Sequence, residues 1–251
     1  MISTDTGYTA DRWEFDKEVT RVFDDMLKRS IPNYEGMRDI TTRLISKTIP
    51  RVNGSMLDIG SSQGETIARI LEQGNFTDLN VLGYEISEPM LQFSENRFAN
   101  VPNVNFESAD LRHGLPKDSI EYSGVSYSSN VINAFDVVTS ILTIMFIPME
   151  HRPHLLADIF NALKPEGKLF LVEKIIGGNY ESDNLYVEAY YDMKKEHGYS
   201  EDDVQRKRLA LEGVLVPMTA KANEQMVIDA GFKSIETIWA WGNFRGWIAT
   251  K

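Results

Sequence analysis

The stretch "MLDIGSSQGETIARI", Met56 to Ile70, sets a carboxylate, Asp58, at the end of an apolar run and follows it with a turn in which Gly60 and Gly64 bracket Ser61 and Ser62. Glycine in such a turn lets backbone approach a ligand closely. A second acid, Glu85, ends the next apolar run about 25 residues on, where a carboxylate can accept hydrogen bonds from both hydroxyls of a ribose. A third, Asp110 in "SADLR", follows the third run, where it can accept from an exocyclic adenine amine. Together these groups point to a nucleoside. The turn lacks the middle glycine of G-x-G-x-x-G, so a pyrophosphate is not required and a nicotinamide dinucleotide is the weaker reading.

Other chemistries find less support. The histidines, His113, His151, His154 and His197, show no two-ligand helical spacing beside a carboxylate, so no metal is expected. No G-x-S-x-G elbow is present to suggest a hydrolase. With zero cysteines in 251 residues there is no disulfide framework, thiolate site or cysteine nucleophile, in keeping with a reducing cytoplasm. The net charge of −11 repels phosphate backbones, so no direct nucleic-acid partner is expected. On charge alone, "RKR" at Arg206 to Arg208 reads as a solvated helix face. The cluster Trp239, Trp241, Phe244 and Trp247 reads as hairpin core more readily than as a stacking platform.

These groups must be carried by alternating strands and helices. Strands are predicted at Met56 to Ile59, Val81 to Glu85, Val104 to Ser108, Val137 to Leu142, Lys168 to Glu173, Ile235 to Ala240 and Trp247 to Thr250, the last two joined by a turn at Gly242 to Gly246. Helices are predicted at Glu65 to Gln73, Glu88 to Asn96 and His151 to Leu163, the last stopped by "KPEGK". The implied architecture is α/β, with a parallel sheet covered by helices and a terminal hairpin edge. Phe15, Val19, Val22, Phe23, Met26 and Leu27 share one helical face in the N-terminal segment, which should pack as a lid over 1–50. A helical insert at 180–216 breaks at Gly198 and restarts with Ser200 as N-cap. The segment Glu121 to Ala134 reads as a mobile loop. One domain, 1–251, with no secretory or membrane-spanning run, is expected to be soluble and cytoplasmic.

Glycine turn, ribose acid and post-strand Asp resemble the class I S-adenosylmethionine-dependent methyltransferases, whose Rossmann-like fold has a seven-stranded, mostly parallel sheet ending in an antiparallel hairpin. Over nearly the whole chain the resemblance narrows to the bacterial carboxy-S-adenosylmethionine synthases, on "RWEFDKEVTRVFDDMLKRSIPNY" (Arg12 to Tyr34), "YYDMKKEHGYSEDDVQRKR" (Tyr190 to Arg208) and "GNFRGWIATK" at the end. That family makes the carboxymethyl donor for tRNA wobble uridine modification. In it prephenate loses carbon dioxide, which the deprotonated sulfonium methyl of S-adenosylmethionine captures.

The resemblance implies a cofactor pocket of Tyr34, Gly60 to Ser62, Glu85 with Ile86, and Asp110 with Leu111, together with Asp58, Gly64, Ser140 and Ile141. It implies that Arg208 holds the added carboxylate from the partner subunit of a homodimer, with S-adenosylmethionine, its carboxylated form or S-adenosylhomocysteine as the bound species. A guanidinium fork suits a carboxylate, and a methyl-transferring enzyme has none to hold there. The chain departs from the family pattern at Ser61 for Cys, Glu85 for Asp, Ile141 for Asn, and Tyr190 with Tyr191 for a histidine pair. The last two bear on the second substrate, prephenate or another small acid. Alternatives are a small-molecule methyltransferase on the same scaffold and a non-catalytic cofactor-binding subunit.

Overall fold

The computed structural model describes residues 12–116, 120–122, 125–127 and 132–251, with 120–122 and 125–127 described by their backbone alone. Helix α1, Lys17–Ser30, starts where Asp16 Oδ1 accepts from the Val19 amide at 2.8 Å. Helix α2, Tyr34–Thr48, follows at once. Five parallel strands, with three α-helices between them, come next: β1 (Ser55–Ile59), α3 (Glu65–Gln73), β2 (Asn80–Glu85), α4 (Glu88–Phe98), β3 (Val104–Ser108), the short antiparallel pair β4 (Ile120–Tyr122) and β5 (Val125–Tyr127), β6 (Phe135–Ile141), α5 (Arg152–Ala162) and β7 (Leu163–Ile176). Helices α6 (Tyr180–Glu196) and α7 (Glu201–Ala210) form the insert. The chain closes with β8 (Met218–Thr219), α8 (Ala220–Asp229), β9 (Ser234–Trp241) and β10 (Phe244–Thr250).

The strands run in the order β3-β2-β1-β6-β7-β10-β9, with β10 antiparallel to both neighbours and the first five parallel. The seven-stranded path and terminal hairpin match the expectation. Two-residue β8 adds an eighth strand, paired with the far end of β7, too short for any periodicity to signal. Alternation along the strands sorts the core into two layers. Leu57, Ile59, Val138, Leu169 and Leu171 pack with Leu155, Leu156 and Ile159 of α5 and Val227 of α8. Met56, Val81, Val137 and Phe170 pack with Ile45 of α2, Ile67 and Ile70 of α3 and Leu91 of α4. Helix α2 is therefore a sheet-covering helix, and α1 is the element that lies over the ligand edge, with Val19 and Met26 against Met90 of α4.

Boundaries differ from the sequence reading where local backbone overrides pattern. Strand β6 stops at Ile141 because Leu142 takes a left-handed φ of 58°. In "KPEGK", Glu166 at φ 64° loops the chain out, so Leu163 pairs with Phe135 and Lys168 with Val137, and strand resumes directly from the helix. The final hairpin turns on Gly242 and Asn243 alone, and Gly246 lies inside β10 opposite Val172. Within the predicted loop Glu121 to Ala134, 121–122 and 125–127 belong to the antiparallel pair β4–β5, while 123–124 and 128–131 lie outside the described residues. Phe244 and Trp247 are buried in the hairpin, and Trp247 Nε1 donates to Glu224 Oε1 at 2.9 Å.

Candidate functional site

The strand order reverses between β1 and β6, and a cavity of about 730 Å³ opens beyond their carboxyl ends, the place where open α/β sheets take ligands. Its floor is the glycine turn with the ends of β2, β3 and β6, and its roof is α1 with Tyr34. Its far wall comes from β7 and the insert. The turn needs its glycine: Gly60 sits at φ 67°, and a Cβ there would collide with Thr143. Ser62, at φ 52°, is a second left-handed residue on the wall.

Glu85 organises this turn. Its Oε2 accepts from the Ser62 amide at 2.9 Å, and its Oε1 accepts from the Ile86 and Ser87 amides at 2.8 Å each. Burial raises its carboxyl pKa, and the three amides pull it back down. Asp110 is more open; it accepts from the Arg112 amide and forks with its guanidinium, with Nε to Oδ1 at 2.8 Å and Nη2 to Oδ2 at 2.6 Å, so its pKa is lowered. Tyr34 is buried on the wall, and Arg38 Nη1 donates to its hydroxyl at 3.1 Å; burial pushes that phenol up to about 12.

Asp58 follows Met56 on the α2–α3 face of β1, which leaves its carboxylate fully enclosed. Burial pushes it up to about 7, against a 2.5 Å hydrogen bond donated by Thr139 Oγ1. A raised carboxyl pKa means the folded chain holds the proton more tightly than the unfolded one. This stabilising contribution is full below about 4 and is lost as pH rises through about 7. Asp58→Asn should therefore raise the melting temperature of the ligand-free protein at pH 8 and do so less toward pH 4, which thermal melts across that range would check. The gain should stay at roughly 1–2 kcal/mol, because the new amide donors need partners of their own.

Comparison with known proteins gives this cavity its family. A methyltransferase-domain model matches residues 57–169, which span the glycine turn, Glu85 and Asp110. The carboxy-S-adenosyl-L-methionine synthase of Wolinella succinogenes is 34% identical over 241 residues, covering 96% of this chain and 94% of its own length. The chain belongs to the carboxy-S-adenosyl-L-methionine synthase family. The member from Nautilia profundicola is 32% identical, over 96% of this chain and 95% of its own. Among solved structures, Haemonchus contortus phosphoethanolamine N-methyltransferase 2 in complex with S-adenosyl-L-methionine matches with a TM-score of 0.60 at 18% identity. That match covers 92% of this chain and 46% of the other and places the fold among the S-adenosylmethionine-dependent methyltransferases.

The wall fits the synthase family's cofactor by its own chemistry. Acceptor carboxylates stand at two successive strand ends, the Ser61 hydroxyl is buried without a partner among the described residues, and the turn is held clear of side chain at Gly60. Ile86, Leu111 and Ile141 supply apolar wall. Three of the predicted residues lie elsewhere. Gly64 caps α3 at φ 70° behind the turn, where a Cβ would sit 2.5 Å from Phe98. Ser140 points into the core, its hydroxyl without a partner among the described residues. Arg208 is exposed on α7, its Nε donating to Gln205 Oε1 at 3.2 Å, beside Tyr191 in a side groove that adjoins the main cavity at Lys174, Tyr190 and Lys194, and it does not itself line that cavity.

What the sequence reading missed is the cationic far wall: Lys174 of β7, Lys194 of α6 and Lys207 of α7. A signal was present for one of them. Val204, Lys207 and Leu211 recur at spacings of three and four, so the middle residue of "RKR" faces inward while Arg206 and Arg208 face out. The capping box of Ser200 and Asp203 fixes that phase.

Proposed function

We propose that this protein makes carboxy-S-adenosylmethionine from S-adenosylmethionine and prephenate, acts as a homodimer in the cytoplasm, and supplies a carboxymethyl donor for tRNA wobble uridine modification. The observation that carries the reading is full-length kinship with the synthases joined to a cavity that has nucleoside acceptors at one end and cations at the other. Glu85 accepts the ribose hydroxyls on its remaining lone pairs, Asp110 accepts from the adenine amine, and Tyr34 closes over the site. S-adenosylmethionine supplies an acidic sulfonium methyl. The reaction balances when prephenate aromatises: one carboxyl leaves as carbon dioxide and is transferred, and the ring hydroxyl departs with the methyl proton as water. Helix α1 and the insert shield that exchange from bulk solvent.

Incubation with both substrates followed by mass spectrometry tests this. The expected result is a cofactor heavier by one carboxyl in place of a hydrogen. Release of S-adenosylhomocysteine in the presence of an acceptor, without carboxylation, would instead support a small-molecule methyltransferase. No turnover in either assay, with intact cofactor binding, would support a non-catalytic subunit. Light scattering should give a dimer at micromolar concentration; a monomer would count against Arg208 reaching a partner's site.

Glu85→Ala should weaken S-adenosylmethionine binding by roughly 1–3 kcal/mol, read by calorimetry, since the ribose hydroxyls lose their acceptor. The same change frees the Ser62, Ile86 and Ser87 amides, so the melting temperature should fall with it. An unchanged dissociation constant would mean that the nucleoside lies elsewhere.

A further inference from the structure

A guanidinium is enclosed where the roof of the cavity meets the glycine turn. Arg38 of α2 lines the cavity, yet its side chain is only 3% exposed. Among the described residues that guanidinium makes a single hydrogen bond, from Nη1 to the Tyr34 hydroxyl, a neutral acceptor. Nη2 is buried with no hydrogen-bond partner. It stands 3.3 Å from Glu65 Oε1, close enough for an ion pair but not aligned for a hydrogen bond, and Nη1 is 4.0 Å from Asp24 Oδ1 of α1.

Both of those acids are engaged by other cations. Asp24 Oδ2 pairs with Lys28 at 2.7 Å, and Glu65 Oε2 pairs with Arg97 at 2.7 Å. Followed outward, the ion pairs join four cations, Lys28, Arg38, Arg69 and Arg97, to three acids, Asp24, Glu35 and Glu65, which leaves one positive charge in excess. Lys28, Arg69 and Arg97 have side chains between 22% and 47% exposed, so water stabilises their charges. Arg38 lacks both water and an aligned carboxylate, the costly condition for a buried charge. Asp58 feels its field, but the Asp58 carboxylate is bonded to Thr139 and forms no ion pair with Arg38 among the described residues. An anion from outside the chain would complete the cluster.

Position names that anion. The adenine and ribose acceptors stand at the ends of β3 and β2, so a nucleoside laid along them brings its 5′ carbon toward the end of β1, the next strand in order. Strand β1 runs into the glycine turn, and Gly64 at the end of that turn is followed at once by Glu65, the ion-pair neighbour of Arg38. From β3 to β1 is two strand steps, about 10 Å, a span that an adenosine with an amino-acid chain on its 5′ carbon can cover. On the reading of this cavity as an S-adenosylmethionine site, we infer that Arg38 holds the α-carboxylate of the cofactor's methionine half. A guanidinium offers the planar fork that a carboxylate fits. Tyr34 and Arg38 are four residues apart on one face of α2, and the phenol fixes the fork by accepting from Nη1.

The test uses the full-length protein and calorimetry with two ligands that differ by this carboxylate alone, S-adenosylmethionine and decarboxylated S-adenosylmethionine. The wild type should bind the first about tenfold or more tightly than the second. In Arg38→Met that preference should shrink to about twofold or less, through lost affinity for S-adenosylmethionine, while Arg38→Lys should keep part of it. A residue that merely braces α1, α2 and α3 would weaken both ligands alike, so a preference retained by folded Arg38→Met overturns the assignment. Melting temperatures show whether that variant folds; if it does not, Arg38→Lys decides, a reduced preference supporting the assignment and an undiminished one overturning it. Equal binding of the two ligands by the wild type overturns it without any variant. Carboxylated product in the mass-spectrometric assay, with the preference unchanged by Arg38→Met, removes this role and leaves the proposed reaction. Loss of the preference in Arg38→Met, with no carboxylated product from the wild type, keeps this role and removes the reaction. A wild type that binds neither ligand overturns both.

Discussion

Replacing Arg152 with methionine is expected to cost roughly 3–5 kcal/mol of folding stability, the range for removing one side of a buried charge arrangement. Arg152 is 1% exposed, and its guanidinium ties three stretches of chain together: Nε donates to the Ile147 carbonyl at 2.7 Å, and Nη2 donates to those of Val216 at 2.7 Å and Met145 at 3.2 Å. The fully buried Glu173 carboxylate accepts from the other side of the same loop, at the Ile144 amide at 3.1 Å and at the amides of Thr143 and Met145. Burial drives that carboxyl up, and the Arg152 charge is what pulls it back most strongly. Without Arg152, the Ile147 and Val216 carbonyls lose its donors, the Met145 carbonyl keeps only the Val216 amide, and Glu173 loses its counter-charge. Urea denaturation at pH 7 measures the loss. Because the loop runs from Thr143 to Ile147 along the cavity wall, cofactor affinity should fall too. Glu173→Gln should be milder, since it keeps an acceptor while shedding the buried charge. A loss below about 1 kcal/mol for Arg152→Met would mean that the loop is held by its apolar contacts instead.

The parts of this design that were legible in the sequence are those in which local chemistry and global pattern agree. Met56 to Ile59 alternates between two core layers, Gly60 and Gly64 both require left-handed backbone, and Ser200 with Asp203 forms a capping box; each is read the same way at every level. Less legible were features set by distant partners. Ser140 and Ile141 are neighbours at one strand end, but the pleat sends Ser140 into the core and Ile141 to the cavity. Leu142 carries a backbone conformation unfavourable for its side chain, held by its amide's bond to the Val172 carbonyl at 2.7 Å, and nothing in its local sequence announces this. Lys174 and Lys194 read as ordinary strand-end and helix-end cations, because only the packing of the insert over β7 turns them into a wall. Charge runs mislead for a related reason: "RKR" is one buried and two exposed residues, and the phase of α7 decides which.

That phase sharpens the expectation for Arg208. Within its own chain the side chain reaches Gln205 and a groove shared with Tyr191 and Glu212, and it does not line the cavity. That groove adjoins the cavity at Lys174, Tyr190 and Lys194, and under the proposed homodimer a direct effect of Arg208 on a bound ligand would come through a second subunit. If its guanidinium pairs with a carboxylate carried only by carboxy-S-adenosylmethionine, Arg208→Ala should weaken that ligand by roughly 2–4 kcal/mol. S-adenosylmethionine affinity should stay within about 0.5 kcal/mol, and the melting temperature should hardly move, as for an exposed residue. Arg208→Lys keeps charge but loses the fork, so it should fall between. Subunit mixing then tests the geometry. On the proposed homodimer, Arg208→Ala and Glu85→Ala variants should each be deficient, but exchanged in equal amounts they should form mixed dimers in which one site has both side chains intact, returning about a quarter of wild-type activity for a two-fold dimer. No recovery on mixing, with dimers intact and subunits shown to exchange, would place the two residues in the same chain's site and overturn the cross-subunit role of Arg208. Equal weakening of both ligands by Arg208→Ala would remove the carboxylate from its role, leaving a surface cation whose effect on the cavity is indirect.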